Sequence, residues 1–508
     1  MKNKITVDAR INDARIDRRI YGHFIENMAR CIYGGVLKNK RTGDPRGPWE
    51  LRDDLVDIVK KLRAPVMRWP GGLYADGYHW RDGIGSADAR PLKRNRYWSK
   101  YGPVTRVLDT NAFGSDEYMK LLAKIGADPY VNVNFGTGSA VEAALWVEYM
   151  NGDKTTVEGR RRIEHGREKP WGVRTWGIGN ETYGFWSLGH CPAKKYAMRY
   201  LEFRAAMEQV DQGLEYVAVG ADHYFNKKWN REVLEVAADS IDLLSIHLYL
   251  PGLERRVGVL LAGARGGSAV IYKAIAASPV EYERRLRLAV DDIESVAGKD
   301  SSVGIALDEW NLWWKISQMQ FPRWTLRDAL FVCGVFHAMH RLANRVRMAN
   351  VSQLVNMLGV ITTLGDRICR TAIYYPFLMY SRLSQPLALR TEVACGSFET
   401  SRVGGIPAMT GVPALDCSAT MSEDGKTIAL FVINRHAEDS MESDIELSGF
   451  SPKGKVAVHS LNAPNTDAMN SYKDDEVVKV VESRVDVGDV LPRYVFPAHS
   501  ATALVFKK

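Results

Sequence analysis

Between about residue 18 and residue 384, short apolar runs alternate with stretches whose apolar side chains recur every three or four positions. The runs fall at 20–26, 66–70, 130–134, 174–179, 216–220, 241–247, 303–311 and 353–358. Four of the intervening stretches read as amphipathic helices: 51–62 (Leu51, Leu55, Ile58, Val59, Leu62), 194–210 (Tyr196, Tyr200, Phe203, Met207, Val210), 281–296 and 326–343. Eight buried strands separated by helices predict a parallel sheet, and eight is the number that closes into a (β/α)8 TIM barrel. An open doubly wound sheet is the alternative. It usually carries a glycine-rich dinucleotide turn after its first strand, and residues 21–30 hold no such turn.

The pattern changes at both ends. Lys4-Ile5-Thr6-Val7-Asp8-Ala9 predicts one or two short edge strands within residues 3–17. After about residue 385, short alternating strands are expected at 427–433, 444–447, 456–459, 477–481 and 501–506, with turn residues between them. That spacing predicts a C-terminal antiparallel β-sandwich. The expected organisation is therefore 1–17 as N-terminal strand joining the sandwich, 18–384 as barrel and 385–508 as sandwich. All 13 tryptophans lie at or before Trp324, so the sandwich lacks the ring most used to stack on sugars and reads as a structural appendage.

Composition narrows the class. The 508 residues are 46% hydrophobic and 25% charged, ordinary for a globular chain able to bury one or two large cores. No stretch approaches the roughly 20 apolar residues of a membrane span. Met1-Lys2-Asn3-Lys4 has no apolar run behind it, so a cytoplasmic location is expected. The six cysteines stand singly, without zinc-ligand spacing, and read as reduced thiols. A net charge of +8 with a pI near 9.0 raises nucleic-acid binding, but the basic residues are dispersed and no such motif accompanies them. A solvated surface explains them better. Neither metal nor cofactor is expected.

Two of the predicted strands end on carboxylates. Trp176-Gly177-Ile178-Gly179 stops at Asn180-Glu181, and Val303 to Leu307 runs into Asp308-Glu309-Trp310-Asn311. Two carboxylates at C-terminal strand ends of a barrel are what glycoside hydrolysis requires, one as acid and one as nucleophile or base. Neighbours on a strand point to opposite faces, so Asp308 and Glu309 should not share a pocket. Glu309 is the better candidate, and Asp308 suits an Arg partner. Asn180 and Glu181 can both face inward if the backbone bulges after Gly179. His247 and Tyr249, two apart at the sixth strand's end, project to one side. Glu26 closes the first run and Gln353 opens the eighth. Such polar groups in apolar runs need partners, and sugar hydroxyls would serve.

Gly22-His23-Phe24-Ile25-Glu26, Arg68-Trp69-Pro70-Gly71-Gly72, Trp176-Gly177-Ile178-Gly179-Asn180-Glu181, Asp308-Glu309-Trp310-Asn311 and Gln353-Leu354-Val355-Asn356 resemble, in order, the motifs of the family 51 glycoside hydrolases, the α-L-arabinofuranosidases. The resemblance implies a retaining exo-enzyme that releases terminal arabinofuranose from arabinan, arabinoxylan or their oligosaccharides. It implies Glu181 as general acid/base, with a raised pKa, and Glu309 as nucleophile. Asn180 would bond the 2-hydroxyl, and Glu26, Tyr249 and Gln353 the other hydroxyls. His247 would orient the nucleophile's surroundings, and Trp98 and Trp313 would wall the pocket. A metal-independent, intracellular, often hexameric protein is implied as well. The same mechanism on another glycoside (a β-D-galactofuranosidase, β-xylosidase or endo-glucanase) and an inactive carbohydrate-binding protein are the alternatives. The chain departs from the family at Leu73, where Asn or Cys usually follows the glycine pair. Leu73→Asn is expected to change the ratio of hydrolysis rates on aryl α-L-arabinofuranosides and β-D-galactofuranosides. An unchanged ratio removes residue 73 from the specificity determinants.

Overall fold

The computed structural model describes residues 2–39, 47–99, 108–252, 256–314 and 321–508, the side chains of residues 13 and 256–267 excepted. Eight parallel strands form a closed barrel: β1 (Gly22–Phe24), β2 (Val66–Trp69), β3 (Asp128–Val133), β4 (Thr175–Ile178), β5 (Glu215–Val219), β6 (Leu243–Pro251), β7 (Gly304–Trp313) and β8 (Val346–Val351). They pair in chain order, and β8 closes on β1.

Alternation along these strands sorts the side chains into layers. Val66, Tyr130, Val217, Leu243, Ala306 and Met348 pack together as an apolar layer inside the barrel. Two residues further along four of the same strands come Arg68, Asn132, Asp308 and Asn350, all buried. Gly177 leaves room for this polar layer, because a Cβ there would lie 2.1 Å from Asn132 Oδ1. The opposite faces of the strands, including Met67, Trp69, Val131, Val133, Trp176 and Ile178, join the large core under the helices. Those helices include Asp53–Leu62, Ala193–Glu208, Arg256–Ala297, Leu326–Arg341 and Tyr374–Leu383.

The eighth strand is not where the apolar run 353–358 suggested. It is Val346–Val351, and Gln353 lies beyond its C-terminal end. Residues 353–358 are buried but turn. Asn356 and Leu358 have positive φ, and the backbone N–H groups bond to turn partners and to Phe24 instead of a ladder. Burial alone made this loop resemble a strand, while Arg345 and Arg347 thinned the apolar signal of the real one.

The N-terminal segment differs too. Asn3–Arg15 is one strand inside a nine-stranded sheet, antiparallel to Leu387–Ala394 and parallel to Met441–Ser448. It is neither short nor at an edge. The sheet encloses its own core, and strand Thr427–Asn434 divides its residues between two interiors. Ile428, Leu430 and Val432 face the sandwich core, whereas Ala429, Phe431 and Ile433 join the barrel's.

At that junction Phe431 stacks on Tyr380 with centroids 4.3 Å apart. Beside it, Asp416 accepts from Arg341 at 3.0 Å and from Arg435 at 2.8 Å, and His340 bridges Ser418 and Tyr21. Burial by itself would raise the Asp416 carboxyl, but the two guanidinium groups hold it well below the usual carboxylate range. A depressed carboxyl stabilises the fold above its unfolded value of about 3.9 and loses that effect as pH falls through the lower folded value. No helix among the described residues is long and apolar enough to cross a membrane. Asp416→Ala, which strands two cations at the junction, should destabilise the protein by about 3–5 kcal/mol at pH 7 in a denaturant melt. The gap to the unmutated chain should close only in strong acid, and a gap below about 1 kcal/mol at pH 7 refutes the assignment.

Candidate active site

The mouth of the barrel is shaped by one extra residue. β6 and β7 pair in step up to Ile246 opposite Leu307, then resume with His247 opposite Glu309. Asp308 is the surplus residue of a β-bulge, and the bulge cancels the alternation that should have separated it from Glu309. Both carboxylates therefore reach Arg68: Asp308 has the Arg partner expected of it, but it lies on the same side as Glu309, where alternation predicted opposite sides. Asp308 lies deep, 3.2 Å from Arg68 Nε, and accepts from Tyr130 (2.7 Å) and Asn350 (2.8 Å). Glu309 stands above it. Its Oε1 accepts from Arg68 Nη1 at 2.8 Å and its Oε2 from the Tyr249 hydroxyl at 2.9 Å.

The end of β4 bends sharply, with Gly179 at φ +88° and Glu181 at φ +48°. The second is a conformation that costs a non-glycine residue about 1–3 kcal/mol. It lets two successive side chains enter the mouth. Asn180 Oδ1 accepts from Arg68 Nη2 at 2.6 Å. Glu181 Oε1 lies 3.0 Å from His247 Nδ1, and Oε2 accepts from Trp186 Nε1 at 2.5 Å. One oxygen of each glutamate and a nitrogen of His247 lie within 4.8 Å of one another. That separation fits the roughly 5–5.5 Å of retaining glycosidases and not the ~6.5–9.5 Å of inverting ones.

Glu26, just past β1, faces the same space. Its Oε1 accepts from the Tyr74 N–H and from Trp98 Nε1, both at 2.8 Å, and its Oε2 from Gln353 Nε2 at 3.1 Å. Gly72 forms the floor between carboxylates, for a Cβ there would lie 2.8 Å from Glu309 Oε1 and 3.4 Å from Glu26 Oε2. Leu73 follows this floor, half-buried. Trp313 meets the Tyr249 ring edge-on at 5.2 Å. Asn180 Nδ2, Gln353 Oε1 and Trp313 Nε1 are buried without a partner. Such groups are spare hydrogen-bonding capacity for a polyhydroxylated ligand.

Sequence reasoning left out Arg68, Asn132 and Trp186. The first had a visible signal, an arginine inside the apolar run Val66-Met67-Arg68-Trp69. Trp186 had none, because its contact with Glu181 depends on the path of the intervening loop.

Residues 58–251 match the family model described as α-L-arabinofuranosidase 1 domain, and residues 308–500 the one described as α-L-arabinofuranosidase C-terminal domain. A probable α-L-arabinofuranosidase C of Aspergillus terreus is 31% identical over 97% of this chain and 95% of its own. The chain belongs to the α-L-arabinofuranosidases of glycoside hydrolase family 51. A family relative from Bacillus subtilis, named intracellular exo-α-(1→5)-L-arabinofuranosidase 1, is 29% identical over 94% of this chain and 93% of its own. The crystal structure of the Thermotoga maritima α-L-arabinofuranosidase in complex with arabinose covers 100% of both chains with a TM-score of 0.86 and 32% identity.

The electrostatics of the mouth depart from the expectation for a family 51 member. Burial pulls Glu181 upward, but the hydrogen bond and charge of His247 outweigh it, and the carboxyl is lowered. Burial likewise pulls His247 downward, and the charges of Glu309 and Glu181 outweigh it, so His247 is raised. The raised pKa expected for Glu181 from sequence is thus not found. Each of the two groups favours the charged form of the other, so they titrate as a pair. Glu26 is different. Burial first, and then the charge of Glu309, push it up to about 8. Below that pH Glu26 is neutral, and turning over the Gln353 amide, whose Oε1 lacks a partner, lets the acid donate to it. Glu26→Gln mimics the neutral form. On an aryl α-L-arabinofuranoside it should keep kcat/KM within about tenfold of the unmutated enzyme at pH 6, one lost hydrogen bond being worth no more. It should also lack a decline centred near pH 8 in the parent's profile. A parent flat through pH 8 contradicts the assignment.

Proposed function

We propose that the protein is a retaining exo-α-L-arabinofuranosidase working by double displacement, with Glu309 as nucleophile and Glu181 as acid/base. The observation that carries this is the pair of carboxylates on one side of His247, close together but differently partnered. Glu309 is held and aimed by two donors, Arg68 and Tyr249. Glu181 shares a proton with His247 along a 3.0 Å contact.

In the first step a Glu309 oxygen forms a bond to the anomeric carbon while the bond to the leaving oxygen breaks. A sugar that fills the mouth expels water, and the dry site favours the neutral arrangement of the pair over its charged one. The proton then sits on Glu181, which passes it to the leaving oxygen. Esterification removes the Glu309 charge, so His247 loses the neighbour that raised its pKa. In the second step ionised Glu181 takes a proton from water, the hydroxide oxygen bonds to the anomeric carbon, and Glu309 departs. Two inversions give retention.

Glu26, Asn180, Tyr249 and Gln353 fix the sugar's hydroxyls in this reading, with Trp98 and Trp313 as walls and Leu73 at the edge. The burial of Glu26 and Gln353 supports a blind pocket and hence action on chain ends. Arabinan and arabinoxylan oligosaccharides are the proposed substrates. A cytoplasmic site of action is supported by six free cysteines and by the intracellular relative from Bacillus subtilis. A homo-oligomer, hexameric by family resemblance, is part of the same proposal.

Hydrolysis of an aryl α-L-arabinofuranoside, with product configuration followed by NMR, tests the assignment. The parent should release the α-anomer first. Glu181→Ala should lose about 10²–10⁴-fold on a poor leaving group. Added azide should restore turnover, yielding the α-azide in Glu181→Ala and the β-azide in Glu309→Ala. Retained activity in Glu309→Ala ends the nucleophile assignment. A parent active only on β-D-galactofuranosides, β-xylosides or glucans keeps the mechanism and discards the sugar.

A further inference from the structure

Glu181 keeps its positive φ only while the peptide ahead of it is held, and the carbonyl of that peptide belongs to Asn180. Ser187 Oγ lies 3.0 Å from this carbonyl, and among the described residues no other group donates to it. The same Oγ accepts from the Gly189 N–H at 3.1 Å and stands 2.9 Å from Asp76 Oδ2. Asp76 sits in the short turn Ala75–Gly77, on the loop after β2 whose Tyr74 N–H holds Glu26. Its backbone carbonyl accepts from the Thr137 N–H at 3.0 Å, beyond β3. One residue thus ties together the loops after β2, β3 and β4.

The packing around Asp76 is close. A Cβ at Gly189 would lie 2.7 Å from its Oδ2, and one at Gly136 would lie 2.9 Å from its Cβ. The side chain is fully buried, and unlike Asp308 and Asp416 it meets no cation among the described residues. Hydrogen-bond matching fixes its state. A serine hydroxyl donates once. With Asp76 ionised, that single proton faces two acceptors, and one of them is left against the Ser187 oxygen with no proton between. With a proton on Oδ2, Asp76 donates to Ser187, Ser187 donates to Asn180, and every group is matched. Oδ1, buried without a partner, also suits a neutral acid better than a carboxylate. Burial acts in the same direction. It outweighs the Ser187 hydroxyl and the N–H groups of Phe135, Gly189 and Gly136, and pushes the carboxyl up to about 7. The titratable groups near it, Cys191 and Tyr196, are themselves raised by burial, and Arg199 donates to the Phe135 carbonyl at 3.0 Å.

We propose that Asp76, in its neutral form, is a positioning residue for the acid/base: it donates a hydrogen bond to Ser187, which donates in turn to the Asn180 carbonyl and fixes the turn that presents Glu181. The inference rests on Glu181 being the acid, as proposed above. When Asp76 ionises, Ser187 turns its proton to the carboxylate and the Asn180 carbonyl loses its donor. A loosened acid costs most where the leaving group most needs a proton.

The test measures kcat/KM on phenyl and 2,4-dinitrophenyl α-L-arabinofuranosides, a poor and a good leaving group, at pH 6. The enzymes are the parent, Asp76→Ala, Asp76→Asn, Ser187→Ala and Glu181→Ala. Asp76→Ala and Ser187→Ala should lose about tenfold on the phenyl substrate and no more than about twofold on the dinitrophenyl one. Asp76→Asn, whose amide still donates to Ser187, should stay within about threefold of the parent on both. Between pH 6 and pH 8 the phenyl-to-dinitrophenyl ratio should fall further in the parent than in Asp76→Asn, because only the parent can lose the donor. Equal losses on the two substrates in Ser187→Ala, or no loss on either, overturn the relay. So does an Asp76→Asn variant no better than Asp76→Ala. Ser187→Ala removes a single oxygen and guards against misfolding of Asp76→Ala. A Glu181→Ala variant that does not discriminate between the leaving groups ends the acid/base reading and the relay with it. If Glu181→Ala discriminates and Ser187→Ala does not, the relay alone is wrong.

Discussion

Arg68 is the interaction on which the rest of the site depends. Its side chain is 1% exposed, and no buried cation survives in a barrel without partners for its charge and its donors. Here the partners are Asp308 from below, Glu309 from above, and Asn180 and Asn132 at the sides, with the Phe24 and Tyr130 rings over its faces. One planar group thereby links β2, β3, β7 and the turn after β4. Removing it would not merely delete a contact with Glu309. It would leave Asp308 buried with uncompensated charge and free the turn that carries Glu181. The geometry of two carboxylates on different strands is thus held by a third residue that needs no contact with substrate.

The bulge at Asp308 completes this arrangement. Without it, alternation would allow either a deep carboxylate to balance the arginine or a shallow one at the mouth, not both. With it, β7 supplies both, and His247 and Tyr249 of β6 fall opposite the shallow one. The charge distribution follows. A lower layer built on the Arg68–Asp308 ion pair sits beneath an upper layer, Glu181, His247 and Glu26, whose proton affinities are shifted.

Most of the barrel was legible because each strand is a short apolar run and each helix repeats its apolar positions. The exceptions have physical causes. Val346–Val351 was hidden by Arg345 before it and Arg347 within it, and 353–358 imitated a strand because it is a buried loop. Asn3–Arg15 read as an edge because its polar alternation suits one, yet two strands distant in sequence flank it. At the site, Glu181, Glu309, His247, Tyr249, Glu26 and Gln353 were visible as polar residues at the ends of apolar runs, and the structure brings them to one mouth. The shared access of Asp308 and Glu309 was not visible, since a bulge is defined by what the neighbouring strand does. Nor was the protonation of Glu181, which depends on a histidine from another strand.

The pairing of Asn3–Arg15 has a consequence for biosynthesis. Its antiparallel partner, Leu387–Ala394, follows about 370 residues later, after the whole barrel. At the ~5–20 residues per second of translation, the first strand waits roughly 20–70 s outside the ribosome before that partner exists. Lys4, Thr6, Asp8 and Arg10 alternate with its apolar residues and keep it dissolved in the meantime. The sandwich can therefore close only after the whole barrel sequence has been made, and the barrel core is complete only when Phe431 and Ile433 arrive with it.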